Sequence, residues 1–258
     1  MHNFPDPNYP NDGMYPNGLL QATDGTFYGV TSFGGSAGGG VLFQITRAGG
    51  YSVLYNFPGS TRGVIPNTPM QHTNGKLYGL MQAGGRYNHG VVYSLDLGLD
   101  PFVRLVSTSA KVGIPVGVLG QGFTGTTDVS FNGIPATFKV WSDTFLKATV
   151  PSGATTGPVT VTAPTGTLTS NHEFRVHSVI LAVTPASGSA GTPVVITGTS
   201  FTQTTKVTFG GGKATAAFTV DSDTQVTATV PAGAPAGYIA LTTTGGRSRS
   251  PEAFTVTP

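Results

Sequence analysis

Two different internal doublings divide this chain, and together they constrain its fold more than any other feature. The octet TDGTFYGV (Thr23–Val30) returns as TNGKLYGL (Thr73–Leu80), and the correspondence runs on without a gap. Pro16-Asn17 matches Pro66-Asn67, Gln21 matches Gln71, Gly34-Gly35 matches Gly84-Gly85, Gly40-Val41 matches Gly90-Val91, and Phe43 matches Tyr93. A longer doubling then takes over. VGIPVGVLGQGF (Val112–Phe123) returns as AGTPVVITGTSF (Ala190–Phe201), FKVWSDTFLKATVP (Phe138–Pro151) as FTVDSDTQVTATVP (Phe218–Pro231), and FRV (Phe174–Val176) as FTV (Phe254–Val256). A chain built this way is a row of small units, with short-period units stacked to share a core.

Composition says what the units are made of. Only 9% of the 258 residues are charged, against roughly 25% in an average soluble protein. The polar surface therefore falls to Thr, Ser, Asn, Gln and Gly. With 38 Gly and 19 Pro, no dozen-residue segment keeps apolar positions at helical spacing, so the expectation is all-β, with short strands and tight turns.

The short unit reads as four strands, at Gly18–Ala22, Thr26–Val30, Val41–Ile45 and Ser52–Phe57. Asp24-Gly25 and Asn74-Gly75 sit between the first two strands, where a two-residue hairpin loop needs positive φ. Four strands in about 50 residues is the size of a propeller blade. Tyr28 and Tyr78 are expected to pack between blades.

The stretch LLQATDGTFYGVTSFGGSAGGGVLFQITRAGGYSVLYNF resembles the bacterial GloVer repeat, closely in the first unit and with more drift in the second. That family brings no assigned activity; the resemblance implies an extracellular tandem array. HNFP (His2–Pro5) echoes YNFP (Tyr55–Pro58), so it reads as the tail of a preceding unit. The chain is accordingly read as a piece of a longer protein, with Met1 an added start. Incomplete blades leave open edges, so the expectation includes a homo-oligomer through those edges.

From residue 99 on, two units of about 80 residues hold alternating strands bounded by Gly, Pro, Asn and Asp, the pattern of Ig-like sandwiches. SDTxxxATVP and GF…VSFNG strongly resemble the IPT/TIG family of Ig-like domains. The division expected is residues 1–98 for two blade-like repeats, 99–177 for the first sandwich and 178–258 for the second.

Comparing the two copies separates core from surface, because side chains alternate faces along a strand. Phe138 and Val140 correspond to Phe218 and Val220 and belong inside; Trp141 corresponds to Asp221, and Phe145 to Gln225. A position that holds Trp in one copy and Asp in the other faces solvent. Trp141 and Phe145, flanking the SDT turn, are therefore expected as outward cross-strand neighbours suited to a sugar ring or a protein surface. The competing expectation is that Trp141 packs on a neighbouring unit.

Chemistry is harder to find. No cysteine exists, no His pair has metal-ligand spacing, GGSAGGG is followed by a strand rather than a helix, and no GxSxG occurs. No metal and no cofactor are expected. Asp143 and Asp223 share one turn position and are assigned to bracing it. Asp221 with Asp223 makes only a thin case for Ca²⁺. A net charge of +2 without a Lys/Arg cluster beyond GRSRS speaks against nucleic acid, and no apolar run reaches the ~20 residues of a membrane span.

The reading is a non-catalytic bacterial surface or secreted module whose partner is a polysaccharide or another surface protein. Its binding residues would be Trp141, Phe145, Tyr78, Tyr87 and His89. The alternatives are a glycoside hydrolase using Asp96 and Asp100, and a plain spacer or adhesin segment.

Overall fold

The computed structural model describes residues 2–6, 11–59 and 63–258; Met1, read above as an added start, lies outside them. The chain forms two compact units, Met1–Pro101 and Phe102–Pro258. Among the described residues both are built of strands, with a 3₁₀ turn at Gly210–Gly212.

In the first unit, β1 (Gly13–Gln21), β2 (Phe27–Gly34), β3 (Gly38–Ile45) and β4 (Tyr51–Pro58) form an antiparallel meander in that order. The second repeat gives β5 (Val64–Pro66), β6 (Met70–Gln71), β7 (Leu77–Ala83) and β8 (Val91–Leu95), in which β5, β6 and β8 all pair with β7. β5 and β6 take the place of β1. No strand among the described residues takes the place of β4.

The repeated octet builds the same small machine twice. Gly25 N–H donates to Ala22 O and Ala22 N–H to Thr26 O, so the loop has three residues and only glycine takes positive φ, at +80° for Gly25 and +87° for Gly75. This replaces the expected two-residue turn: a type I turn ends in a left-handed glycine, and Asp24 and Asn74 keep ordinary φ. Their side chains brace the loop instead. Asp24 accepts from Thr26 N–H (2.9 Å) and the Tyr28 hydroxyl (3.0 Å), while Asn74 accepts from Lys76 N–H and donates to the Tyr78 hydroxyl, both at 3.0 Å. Burial and the Asp24 carboxylate push the Tyr28 hydroxyl up to about 12.

The glycine after each tyrosine has a different task. Gly29 lies opposite Phe43 and Gly79 opposite Tyr93. A Cβ would stand 2.4 Å from Phe43 Cζ or 2.3 Å from Tyr93 Cζ, so each ring lies flat across its cross-strand glycine.

The two repeats stack to make one core. Val30 and Leu42 from the first and Leu77 and Met81 from the second are all almost fully buried in a single cluster with Tyr28 and Phe57. Phe57 meets Tyr93 edge-on, with centroids 5.0 Å apart. Phe4 meets Phe43 at 5.2 Å. The NFP of residues 3–5 thus packs on the first repeat's third-strand aromatic, as the NFP of residues 56–58 packs on the second's.

Residues 102–258 hold two sandwiches of one topology. The first has β9 (Arg104–Leu105), β10 (Ser109–Ala110), β11 (Pro115–Leu119), β12 (Asp128–Phe131), β13 (Ile134–Pro135), β14 (Phe138–Ser142), β15 (Phe145–Thr149), β16 (Val159–Ala163), β17 (Gly166–Thr169) and β18 (Arg175–Val176). The second has β19 (Val179–Thr184), β20 (Ser187–Gly188), β21 (Pro193–Thr199), β22 (Thr204–Phe209), β23 (Ala214–Ala216), β24 (Phe218–Ser222), β25 (Gln225–Thr229), β26 (Gly237–Thr243) and β27 (Gly246–Val256). Sheet β14-β15-β11-β9 answers to β24-β25-β21-β19, and β13-β12-β16-β17 to β23-β22-β26-β27. Each copy also has a parallel pairing, β10 with β18 and β20 with β27. Inward residues fill one core around Phe123, Phe131, Leu146 and Phe174, and another around Phe201, Phe209, Val226 and Phe254.

The sandwiches are joined by more than the chain. Gln203 accepts from Thr156 N–H (2.8 Å) and the Thr244 hydroxyl, and donates to Thr156 O (3.2 Å). A Cβ on Gly245 would lie 1.9 Å from the Val176 carbonyl oxygen. Backbone is in the way, so Gly245→Ala must shift the joint rather than a side chain. The expected cost is about 1–3 kcal/mol, with faster independent tumbling of the sandwiches. Urea unfolding and ¹⁵N relaxation of the full chain measure both; unchanged relaxation would show that the joint is not tight.

Candidate functional site

The outer face of sheet β14-β15-β11-β9 carries an exposed aromatic ring beside two cations. Phe138, Val140, Leu146, Ala148, Val116 and Val118 point into the core, which leaves Lys139, Trp141, Phe145, Lys147, Gly117, Leu119 and Arg104 facing outward by alternation. Trp141 is 59% exposed. Two lysines approach its ring, with Nζ of Lys139 4.6 Å and Nζ of Lys147 5.7 Å from the ring centre.

A bulge sets this arrangement. The register of β14 against β15 pairs Lys139 with Lys147 and Val140 with Leu146, then skips to Ser142 with Phe145. Trp141 is the residue left over. The expectation that Trp141 and Phe145 are paired across the hairpin is therefore corrected: Phe145 lies opposite Ser142 and Leu119, and its ring rests over Gly117. It is half-buried. Trp141 reaches the two lysines instead.

The matching face of the second sandwich is closed. Asp221, at the place of Trp141, accepts from the Thr227 hydroxyl (2.7 Å) and the Gln225 amide (3.3 Å), the partners of Lys147 and Phe145. The first copy thus exposes an aromatic ring and two cations where the second ties three polar side chains together.

The SDT turn is braced from outside itself. Asp143 accepts from Gly122 N–H (3.2 Å) and Thr124 N–H (3.1 Å), which clamps the loop after β11 to the β14–β15 turn. These hydrogen bonds, Thr124's first, hold its carboxyl below the usual carboxylate range. Asp223 does the same with Ser200, Thr202 and the Thr202 hydroxyl. The turn's own N–H is met by Ser142, not by the acid. Asp221 and Asp223 serve different partners, and among the described residues no group of three His, Cys, Asp or Glu is placed to hold a metal ion.

The residues expected to form a site in the second repeat are split between the two ends of one hairpin. Tyr78 sits near the start of β7, half-buried, beside His72 and bonded to Asn74. Asp96 is at that same end, in an ion pair with Lys76 (3.3 Å) and accepting from Gly98 N–H. Those contacts, Gly98's first, hold its carboxyl below the ordinary value. Tyr87, with Arg86 over its ring, and His89 lie exposed on the loop at the far end of the strand, roughly 15–20 Å away at ~3.3 Å per residue. Asp100 is exposed beyond β8. A hydrolase needs two carboxyls facing one cleft; two concavities among the described residues, at Leu181–Phe254 (about 230 Å³) and around Gln203, are lined by neither Asp96 nor Asp100.

Sequence reasoning missed a buried polar cluster in the first repeat. Asp12, 8% exposed, accepts from Tyr51, from His2 (3.0 Å) and from the N–H groups of Asp6 and Gly13, both at 2.8 Å. His2 stacks on Tyr51 at 3.6 Å. The cluster fastens the NFP segment to the first blade and is structural. No repeat signals it, since residues 62 and 52 at the matching positions are Arg and Ser.

Family models match residues 1–126, to the Gloeobacter/Verrucomicrobia repeat, and residues 178–256, to the IPT/TIG domain. The chain carries this repeat followed by an IPT/TIG domain. The repeat match overruns into the first sandwich, where Val103 is already core and bridges to Ser170. No curated protein matches the chain. Among solved structures it is similar to the surface glycan-binding protein PbSGBP-B of Prevotella bryantii, 20% identical over 59% of this chain and 41% of that one, with a TM-score of 0.41. It is also similar to SGBP-B from a xyloglucan utilisation locus of Bacteroides uniformis, at 22% identity over 59% and 48% with a TM-score of 0.29. A γ-CGTase from alkalophilic Bacillus clarkii gives 15% over 93% and 40%, at 0.30. The chain spans under half the length of these three proteins, and likeness at this level says nothing of a ligand.

Proposed function

We propose that this chain is a non-catalytic binding segment of a bacterial surface or secreted protein. It is divided at about residues 98 and 177 into a repeat pair and two sandwiches, and it takes polysaccharide on the outer face of the first. One observation carries the reading: Trp141 stands 59% exposed on a face whose counterpart in the IPT/TIG domain is sealed by Asp221, Thr227 and Gln225. A flat, exposed aromatic ring suits the apolar face of a sugar.

The charges refine the ligand. Lys139 and Lys147 are directly opposite each other across the ladder. Like charges so placed repel, and none of the outward strand positions on that face is acidic. The ring's negative face offsets part of that repulsion, and a carboxylate on the ligand would offset more. A uronate-bearing polysaccharide fits best.

Affinity gel electrophoresis of the full chain against polygalacturonate, alginate and neutral β-glucan tests this, with reducing sugar assayed in parallel. Retention by the acidic polymers is expected, with no sugar released. It should weaken at least tenfold in Trp141→Ala, since stacking on one ring is worth about 1–2 kcal/mol or more in a desolvated contact, and weaken in Lys147→Gln and in high salt. Retention by β-glucan that survives Lys147→Gln would sink the charge argument alone. Sugar release lost in Asp96→Asn would favour the hydrolase, and no retention at all the spacer.

A further inference from the structure

GRSRS, the basic cluster of the sequence, opens β27, where alternation turns Arg247 and Arg249 to one face and Ser248 to the other. Val207 and Phe209 of β22 and Ile239 and Leu241 of β26 are fully buried in the core. Lys206, Thr208, Ala240 and Thr242 therefore point outward with the two arginines. The ladders set them in two rows, Lys206–Thr242–Arg247 and Thr208–Ala240–Arg249. Lys213 stands on the loop after β22, where Arg247 donates to the Gly211 carbonyl (3.2 Å). Arg249 lies over the Tyr238 ring, 4.6 Å from its centre.

The first sandwich is the control. Its rows at the same register are Asp128–Thr162–Thr167 and Ser130–Thr160–Thr169. Hydroxyls close that face on itself, Ser130 with Thr160 at 2.7 Å and Thr162 with Thr167 at 3.2 Å. One acid and no cation stand where the second copy has three cations. The fourth, Lys213, comes with a longer loop, Gly210–Lys213 in place of Asn132-Gly133. Residues 178–258 hold no other lysine or arginine. Their three acids lie elsewhere: Asp221 and Asp223 at the β24–β25 hairpin, and Glu252 lining the groove beside Leu181. All four cations are exposed, and among the described residues none is paired with a carboxylate.

We infer that this face of the second sandwich holds a sulfated polysaccharide through Lys206, Lys213, Arg247 and Arg249. Charge complementarity carries it. The backbones of Lys206 and Arg247 are two strands apart, about 10 Å, and those of Arg247 and Arg249 about 7 Å apart. Cations so spaced on a flat sheet suit anionic groups strung along an extended chain, and arginine forks fit the oxygens of a sulfate. Single-stranded nucleic acid needs free aromatic platforms, and the Tyr238 ring is taken up by Arg249. A membrane surface needs apolar side chains to enter it, and beyond Tyr238 this face exposes no large one. The inference concerns another sandwich and another sheet than Trp141 and does not rest on the reading of that face.

Affinity gel electrophoresis of the full chain in dextran sulfate and in dextran tests it, since the two polymers differ only in sulfation. Retention by dextran sulfate alone is expected, and it should weaken with salt. Lys206→Asp, Arg247→Thr and Arg249→Thr write the first copy's residues into the second. Together they should weaken retention roughly tenfold or more. Threonine suits a strand, and circular dichroism checks the fold. Lys206→Asp alone, at an exposed position, should still weaken it measurably, whereas Trp141→Ala should leave it unchanged. No retention by dextran sulfate, or equal retention by dextran, overturns the inference. So does retention that survives the triple variant and is lost in Lys139→Gln/Lys147→Gln, which would move the site to the first sandwich. Duplex DNA or phosphatidylglycerol vesicles that displace dextran sulfate at equal charge also overturn it, in favour of a nucleic acid or a membrane.

Discussion

Phe57→Ala is expected to cost about 3–5 kcal/mol, the range for emptying a buried aromatic site. Phe57 is 1% exposed, sits in the shared cluster with Val30, Leu42, Leu77 and Met81, and meets Tyr93 edge-on. It is donated by the last strand of one repeat to the core of the next, so its loss weakens the contact that makes two marginal units one. Against a total of about 5–15 kcal/mol for a domain, that is a large share. A calorimetric scan should show the melting of the repeat pair lowered by more than about 10 °C. The transition of residues 102–258, whose two cores share no residue with it, should stay in place. Tyr55→Ala, two residues away and 40% exposed, is the control and should do little. Equal effects from the two would mean that the junction does not hold the repeats together.

Asp12→Ala should be comparably damaging, at about 3–5 kcal/mol for breaking a buried charged network. The carboxylate is the common acceptor for Tyr51, His2 and two backbone N–H groups. Burial opposes its ionisation, but the hydrogen bonds together outweigh burial and hold the carboxyl below its ordinary value of 3.8. The native state therefore favours the ionised form. Its contribution is fully present above that ordinary value and is lost as pH falls through the lower folded one. Asp12→Asn keeps the shape without the charge, so its stability should fall less than that of wild type between about pH 5 and pH 3. Parallel losses in the two proteins, followed by urea titration at each pH, would show that Asp12 is not the acid-sensitive group.

These two residues also show how unevenly the chain can be read. Phe57 belongs to a motif that occurs twice, and the echo of YNFP in HNFP marked it as the end of a unit, but its packing on Tyr93 of the next unit came only from the structure. Asp12 has no counterpart in the second repeat, and its partners come from residues 2, 6 and 51, so no local pattern exposes it. Trp141 lies between. Its exposure followed from Asp221 in the second copy, but the bulge that turns it from Phe145 to Lys139 and Lys147 is a register event. Asp143 was correctly tied to a turn position and wrongly to its own turn, because hydrogen-bond partners about 20 residues away are set by how strands assemble.

By itself the sequence determined the all-β class, the places where glycine turns the chain and the two kinds of unit. Those depend on period-two alternation, on glycine's access to positive φ and on internal repetition, all of which are local or can be seen by sliding the chain along itself. Only the tertiary structure decided which of two equal surfaces is covered. Val30 and Leu80 read alike in the chain, yet one is core and the other surface. Burial belongs to the pair of elements in contact, and a residue's own neighbours in sequence carry no record of what is packed against it.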